Sequence, residues 1–174
     1  MLSEKMIFTI SQQIKKEFDS AYLYLEIADF YEAQGLAGFA NWFIVQAKEE
    51  EDHAMLFYEY LHTNGSCVQF FPIEPTNMTY ADIFAPLKIG LKHEKMITES
   101  INKIYELAYK ENDLRTKNFL TWFIFEQQEE ESNSQLLLEQ MDLFGTDSSG
   151  LYQLDKEYGS RKYKPLSELK KTGE

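Results

Sequence analysis

Apolar residues recur every three or four positions along four long segments of the chain. This spacing is typical of amphipathic helices that turn one face towards a common core. Two glycines that follow the first two segments, Gly35 and Gly65, suit the position just past a helix end. The pattern predicts four long helices and one shorter helix, at about residues 4–33, 36–64, 82–112, 113–144 and 149–158.

The long connection between the second and third helices decides the topology. Residues 66–81 lack a helical period and contain Pro72 and Pro75, and Thr79 with Asp82 resembles a capping box for the third helix. About 16 extended residues can span up to ~55 Å, whereas a helix of ~28 residues is ~42 Å long. The connection can therefore run the length of a bundle and leave these two helices parallel. The sequence predicts an all-α fold, a four-helix bundle with a long crossover and a short fifth helix.

The predicted helices fit one domain at residues 1–160, followed by a polar tail at residues 161–174 that we expect to be mobile. The first two helices are also apolar outside their inner stripes, for example at Leu23, Phe39 and Trp42. Helices with two apolar sides need a second burial surface, most simply another copy of the chain. We therefore expect a homo-oligomer.

Each inner stripe contains one carboxylate near the middle of its helix, where an apolar residue would be expected. These residues are Glu17, Glu50, Glu94 and Glu130. Burying one ionised carboxylate costs several kcal/mol even after relaxation, and neighbouring carboxylates repel each other. Four at one level would outweigh a net stability of roughly 5–15 kcal/mol. Since the stripes contain no lysine or arginine, metal cations are the better counter-charge, and two divalent ions would cancel four carboxylates.

The spacing of further polar residues supports a metal site. Glu50 and His53 form an E-x-x-H pair on one helix face, and Gln127 and Glu130 repeat that spacing on the fourth helix. Carboxylate oxygens together with an imidazole nitrogen suit iron, manganese or zinc. The alternative is structural, because a single buried glutamate is more often paired with a cation and E-x-x-H also occurs by chance. The coincidence across four stripes favours the metal.

A second acidic group lies beside the first and consists of Glu49, Glu126 and Glu129. It suits a subsidiary metal site, although a solvated acidic surface is an equal alternative. Tyr24 lies seven residues after Glu17 on the same stripe. A buried phenol there can hydrogen-bond a metal-binding carboxylate and supply an electron, and an ordinary core tyrosine is the alternative.

The charge, the apolar runs and the cysteine content of the chain argue against several classes of protein. A net charge of −12, from 17 basic and 29 acidic residues, argues against a nucleic-acid partner. No apolar run approaches the ~20 residues that span a membrane, and the N-terminus lacks a signal-peptide pattern. The single cysteine, Cys67, excludes an internal disulfide and a CxxC metal site. We therefore expect a cytoplasmic protein without a membrane or nucleic-acid partner.

Taken together, these residues resemble those of bacterial non-haem ferritins, within the ferritin-like di-iron family, over about residues 1–160. The resemblance is carried by Glu17, Tyr24, Glu94 and the runs at residues 47–53, 119–123, 126–131 and 150–155.

The resemblance implies a hollow shell of 24 subunits. It implies a di-iron ferroxidase centre, with Tyr24 beside it, held by Glu17, Glu50, His53, Glu94, Gln127 and Glu130. It further implies a third iron site at Glu49, Glu126 and Glu129. Iron(II) would be oxidised there by dioxygen or hydrogen peroxide and stored as ferric oxyhydroxide. Haem is not expected, because Asp52 lies near the position at which bacterioferritins carry a haem-binding methionine.

Two alternatives remain open at this level. A soluble di-iron oxidase or peroxidase without a storage role would require the same ligands. A catalytically inert helical shell would be expected to lose ligands such as Glu17 or His53, and both are present.

Overall fold

The structure, a computed structural model, describes residues 1–166. Within them the chain forms five helices: α1 (Glu4–Ala33), α2 (Ala37–Thr63), α3 (Ala85–Lys110), α4 (Leu114–Phe144) and α5 (Ser148–Tyr158). No strand occurs in this part of the chain. The predicted all-α class, the four-helix bundle and the short fifth helix are confirmed. Among the described helices, none has both the length and the apolar character that crossing a membrane requires.

Local sequence signals account for most helix ends. Ser3, Asp113 and Asp147 each accept a hydrogen bond from a backbone N–H in the first turn of α1, α4 and α5. Gly35 and Gly65, just past α1 and α2, adopt φ angles of 75° and 70°. Glycine occupies this left-handed conformation without a steric penalty, so both helices end where the sequence predicts.

The start of α3 differs from the sequence prediction. The Asp82 carboxylate accepts hydrogen bonds from the backbone N–H groups of Phe84 and Ala85, both at 2.9 Å. These bonds hold residues 82–84 in a turn that precedes the helix. The predicted capping box of Thr79 and Asp82 is wrong, because Asp82 lies before the helix instead of three residues inside its cap.

Contacts at both ends of the bundle give the helix directions. The Ser3 hydroxyl donates to the Glu111 carboxylate at 2.8 Å, at one end, and the Tyr31 hydroxyl donates to the Ile83 carbonyl at 2.7 Å, at the other. Helices α1 and α3 are therefore antiparallel.

The connection at residues 64–84 follows α1 from one end of the bundle towards the other. The backbone N–H of Gln69 donates to the Ser11 hydroxyl at 3.1 Å, and that of Thr76 donates to the Glu26 carboxylate at 2.9 Å. This is the predicted long crossover, and it leaves α2 and α3 parallel.

Two apolar clusters fill the bundle, one towards each end. One cluster includes Tyr31, Phe39 and Met141, and the other includes Ile10, Phe57 and Ile101. Both are made of fully or nearly fully buried side chains. Between them lies a polar layer at the middle of the four long helices, where the sequence places the four glutamates.

Helix α5 docks against the start of α2. The Asp155 carboxylate accepts hydrogen bonds from the backbone N–H groups of Gly38 at 2.8 Å and Phe39 at 3.1 Å, so a residue of α5 caps α2. A Cβ atom at Gly38 would lie 1.6 Å from the Asp155 carbonyl oxygen. Glycine at this position is therefore what allows the two helices to approach so closely.

The first residues of the C-terminal tail lie along α2. Asn41 donates to the Arg161 carbonyl at 3.0 Å, and the Tyr163 hydroxyl donates to the Asp52 carboxylate at 2.7 Å. These contacts of residues 161–166 with α2 were not predicted from the sequence, and the mobility of the tail stays a prediction. Residues 167–174, the rest of the predicted tail, lie outside the described residues.

Candidate metal centre

Each of the four long helices brings one glutamate into the polar layer. Their exposed fractions are 1% for Glu17, 2% for Glu50, 1% for Glu94 and 5% for Glu130. The four carboxylates are therefore almost completely inaccessible to water. The apolar stripes on either side of each glutamate are what bury it, since each side chain shares its helix face with core residues.

Glu17, Glu50 and His53 converge on one point. One potential ligand atom from each lies within 4.8 Å of the other two, and His53 Nδ1 is 3.4 Å from the Glu50 carboxylate. Gln13 donates to one Glu17 oxygen at 2.9 Å. The second Glu17 oxygen is buried and has no hydrogen-bond partner among residues 1–166. An unpartnered buried carboxylate oxygen fits a site that binds a cation.

Glu94 and Gln127 occupy the other side of the layer, together with Tyr24. The Tyr24 hydroxyl donates a hydrogen bond to one Glu94 carboxylate oxygen. The Gln127 amide lies 3.3 Å from the other oxygen. Tyr24 thus contacts one of the candidate ligands directly, in addition to packing in the core through its ring at 5.7 Å from that of Phe43.

His53 lies between two groups of acidic side chains. Its Nε2 atom is 3.8 Å from the Glu126 carboxylate, and potential ligand atoms of His53, Glu126 and Glu130 also lie within 4.8 Å of one another. This trio was not identified as a set from the sequence, although the spacing of four between Glu126 and Glu130 is the signal that points to it.

The predicted subsidiary group of Glu49, Glu126 and Glu129 is not brought together as a set. Glu126 turns towards His53 and Glu129 is exposed on α4. Glu49 forms an ion pair with Arg161, at 2.5 Å between Nη2 and the carboxylate oxygen. Part of the acidic surface beside the main group therefore already has a protein cation.

Burial changes the protonation of the main group. Loss of solvation, followed by the nearby charge of Glu50, raises the pKa of both Glu17 and Glu94 to about 8. Burial, with the charges of Glu94 and Glu50, also raises the pKa of Glu130. These carboxyls hold protons near neutral pH until a cation displaces them.

The pKa of His53 has opposing causes. Burial lowers the pKa of His53, whereas its close contacts with the Glu126 and Glu50 carboxylates raise it, and the net result lies well above the usual range. Burial and the neighbouring carboxylates, Glu94 first, similarly raise the pKa of Tyr24 well above its usual range. The tyrosine is therefore a neutral hydrogen-bond donor in the metal-free protein.

Two glutamines that the sequence analysis did not identify complete the layer. Gln13 and Gln46 each lie four residues before a buried glutamate, Glu17 and Glu50 respectively. Gln46 donates to the Glu130 carboxylate at 2.6 Å and lies 3.5 Å from that of Glu50. The repeated spacing of glutamine four residues before glutamate on two helices was the available signal.

Comparisons with known proteins agree with this geometry. Residues 9–144 match the family described as Ferritin-like domain. The chain is 32% identical over 163 residues to a bacterial non-heme ferritin of Staphylococcus aureus strain USA300, covering 94% of this chain and 98% of that protein. It is 33% identical over 160 residues to a probable bacterial non-heme ferritin-like protein of Haemophilus influenzae, covering 92% and 97%.

Solved structures show the same similarity in three dimensions. An open-pore ferritin of the hyperthermophilic archaeon Archaeoglobus fulgidus superposes with a TM-score of 0.91 at 36% identity, over 93% of this chain and all of that one. A closed form of the same archaeal ferritin, engineered by site-directed mutagenesis, gives a TM-score of 0.92 at 36% identity, over 94% of this chain.

Proposed function

This chain belongs to the ferritin-like family, as its sequence resemblance predicted, and we propose that it oxidises iron(II) and stores the ferric product. In this proposal two iron(II) ions bind within one subunit, and dioxygen or hydrogen peroxide accepts their electrons. The product is ferric oxyhydroxide held in the cavity of a 24-subunit shell. Iron is the substrate and the cargo of the protein.

The observation that carries the proposal is that four buried carboxylates share the polar layer with His53 as the one cationic partner that the described residues offer them. Among the described residues, no lysine or arginine forms an ion pair with Glu17, Glu50, Glu94 or Glu130. Four buried carboxylates without cations would be strongly destabilising once ionised. Two divalent ions neutralise four such charges, and the family binds iron.

We assign the candidate ligands by their positions. Glu17, Glu50 and His53 would hold one ion, and Glu94, Glu130 and Gln127 would hold the other. Glu50, which lies between the two sets, would contact both ions. A mixture of carboxylate oxygens with one imidazole nitrogen suits iron in both its ferrous and ferric states.

The electron balance requires the ions to react as a pair. Two iron(II) ions each lose one electron, and one dioxygen molecule gains both electrons and two protons to give hydrogen peroxide. When hydrogen peroxide is the oxidant, the same two electrons and two protons give two water molecules. The four carboxylates balance the charge of two ferrous ions, and hydrolysis of the ferric product releases the protons that the reduction consumes.

Tyr24 has a positioning role in this proposal. Its hydroxyl donates to Glu94 and therefore fixes the direction in which that carboxylate points. A phenol in contact with a ligand can also supply an electron to the oxidant, which would make Tyr24 a direct participant in the chemistry.

The proposed shell is supported by apolar side chains on the outside of the subunit. Tyr22 and Leu25 are exposed on α1, and Phe125 and Leu143 are exposed on α4. Apolar surface spread over two sides of a bundle suits burial against further copies of the chain. The cytoplasmic location and the absence of haem remain predictions from the sequence.

The test is aerobic addition of iron(II) to metal-free protein, with the near-ultraviolet absorbance of the ferric product followed in time. Wild-type protein should produce ferric iron faster than buffer does. A Glu50→Ala, Glu130→Ala variant should be slower by ~100-fold or more, because it loses ligands for both ions. A Glu51→Ala, Glu139→Ala variant is the matched control, since it removes two exposed glutamates from the same two helices.

The decisive result is the difference between the two double variants. Equal rates for the Glu50→Ala, Glu130→Ala variant and wild type would contradict the proposed site. A fast ferroxidase that elutes as a small oligomer would instead support the alternative of a di-iron oxidase without a storage role.

A further inference from the structure

The segment that follows α5 places an arginine at the edge of the metal centre. Arg161 Nη2 contacts the Glu49 carboxylate at 2.5 Å, and Nη1 donates to the Gln46 side-chain oxygen at 2.9 Å and to the Trp42 carbonyl at 3.2 Å. Its guanidinium also stacks on the Trp42 ring, 4.1 Å from the ring centre. These four contacts fix the position of the guanidinium on α2.

The ion pair with Glu49 is partly shielded from water. The exposed fractions are 18% for the Arg161 side chain and 25% for that of Glu49. A charge pair of this kind is screened less than one on an open surface. Arg161 thus supplies, from the protein itself, the positive charge that a metal ion would otherwise provide to Glu49.

A second contact links Arg161 to the buried carboxylates. Gln46 accepts a hydrogen bond from Arg161 through its oxygen and donates to the Glu130 carboxylate through its nitrogen, at 2.6 Å. Because the guanidinium is a donor only, it fixes which end of the amide faces Glu130. Arg161 is therefore connected to Glu130 through Gln46, two hydrogen bonds away.

We propose that Arg161 and a third metal ion compete for Glu49, so that docking of residues 160–166 on α2 and metal binding at the subsidiary group exclude each other. This inference rests on the proposed function and adds regulation to it. A cation that captures Glu49 must break the ion pair, and the segment after α5 then loses its strongest contact with α2. By reciprocity, anything that holds the segment on α2 weakens the third site by the same factor.

The competition is confined to the third ion. Within residues 1–166, Arg161 makes no hydrogen bond or ion pair with Glu17, Glu50 or His53. Glu130 is reached only through Gln46, which makes its own hydrogen bond to that carboxylate. Loss of the arginine should therefore leave the first two ions bound while changing the affinity for the third. This separation allows the inference to fail independently of the proposed function.

The experiment is a calorimetric titration of the metal-free, assembled protein with zinc(II), which binds to such ligands without redox chemistry. Wild type should take up two ions per subunit tightly and a third weakly. In the Arg161→Gln variant the third ion should bind ~10-fold more tightly, since a partly shielded ion pair is worth about this factor. An Arg161→Lys variant should fall between them, because lysine keeps the charge but lacks the forked geometry that reaches both Glu49 and Gln46.

Two further variants identify the cause. Arg115→Gln removes an exposed arginine from the start of α4 and should bind zinc as wild type does. A Glu49→Gln, Arg161→Gln double variant should lose the tighter zinc binding at the third site, because the Glu49 carboxylate that the arginine released is then absent.

Fluorescence of Trp42 gives a readout of the segment itself. The chain has two tryptophans, so a Trp122→Phe background leaves Trp42 as the reporter. Its emission should shift as the third zinc ion binds and the guanidinium leaves the ring, and should stay constant during binding of the first two. In the Arg161→Gln variant the shifted emission should be present before any metal is added.

The possible results distinguish failure of the proposed competition from failure of the proposed function. Two tight ions in every variant, with an unchanged third affinity in Arg161→Gln, would overturn the competition and leave the proposed function standing. Equal weakening of all three ions in that variant would show that Arg161 only maintains the fold, which also overturns it. If neither wild type nor any of the variants binds zinc, both proposals are overturned.

Discussion

The two acidic groups on α2 and α4 differ in what balances their charge. Glu50 and Glu130 lie in the buried layer, where their neighbours are neutral amides and a histidine. Glu49, one residue away on α2, is partly exposed and is paired with Arg161. The described residues offer the buried group one cationic partner, His53, for four carboxylates, and we propose that metal ions supply the rest, whereas Glu49 in the outer group is paired with Arg161. One residue of offset along α2 therefore separates the glutamate of the proposed metal centre from one that is paired with an arginine.

The largest difference that we predict between the two groups is the stabilisation of the folded protein when metal binds to the buried group. Zinc(II) at ~100-fold above its dissociation constant stabilises a folded protein by ~2.7 kcal/mol per site, so two sites give about 5 kcal/mol. The denaturation midpoint of metal-free wild type should rise accordingly. A Glu17→Gln, Glu94→Gln variant should lose most of this gain, because both ions lose a charged ligand.

The exposed glutamates provide the control for that measurement. A Glu51→Gln, Glu139→Gln variant should be stabilised by zinc as strongly as wild type, since both side chains lie outside the layer. An equal response of the Glu17→Gln, Glu94→Gln variant would show that zinc binds elsewhere.

The pH dependence of the metal-free protein is the next largest effect. The folded-state pKa of Glu17 and of Glu94 is raised to about 8 from the usual 4.5. A carboxyl with a raised pKa contributes stability that is complete below pH 4.5 and is lost as the pH rises through about 8. Metal-free protein should therefore become less stable across this window.

Denaturation midpoints measured in chelator at several pH values check this sign. The Glu17→Gln, Glu94→Gln variant should show a flatter profile and should exceed wild type in stability above pH 8, because its amides carry no charge. If the stability of wild type instead rises from pH 5 to pH 8, the negative charge of the buried carboxylates is already balanced within the metal-free protein.

Removal of the Tyr24 hydroxyl should have a smaller effect. Tyr24→Phe leaves a buried Glu94 oxygen without its donor, at a cost of about 1–3 kcal/mol in the metal-free protein. Iron oxidation should slow by roughly 10-fold, as for other partners that orient a metal ligand. Tyr152→Phe, at an exposed tyrosine of α5, should change neither quantity. A Tyr24→Phe protein with wild-type oxidation would make this tyrosine an ordinary core residue.

The outer group should give the smallest effect on stability. Glu49→Gln should change the free energy of unfolding of the metal-free protein by less than ~1 kcal/mol, because it exchanges a partly exposed ion pair for a hydrogen bond. Chemical denaturation in chelator measures this value. A stabilisation as large as that expected for the Glu17→Gln, Glu94→Gln variant above pH 8 would remove the distinction between the two groups.

The periodic features of the sequence predict the fold and the main group well. The stripes on α1 to α4 set the faces that meet, and a glutamate on each stripe must then lie in the layer between the apolar clusters. Tyr24 follows from the same reasoning, since one heptad after Glu17 is the same face of α1. The structure places these side chains where the spacing predicts, because each position depends on spacing within a single helix, and their role as metal ligands stays a prediction.

The features that the sequence analysis missed depend on contacts between distant segments. Arg161 reaches Glu49 across 112 residues of chain, and Asp155 caps α2 across 117. No periodicity within α2 indicates either contact. The start of α3 was placed too early for a local reason, because the Asp82 side chain competes with the helix for backbone N–H groups.

Locating iron in crystals of the protein soaked anaerobically with iron(II) tests most directly whether the buried carboxylates bind paired cations. Anomalous difference density collected at the iron edge should show two strong peaks inside each subunit, in the layer bounded by Glu17, Glu50, His53, Glu94 and Glu130. A third, weaker peak beside Glu126 should strengthen in Arg161→Gln crystals. Iron found only on the outer surface, with the buried layer empty, would contradict the central claim that these carboxylates converge to bind paired cations.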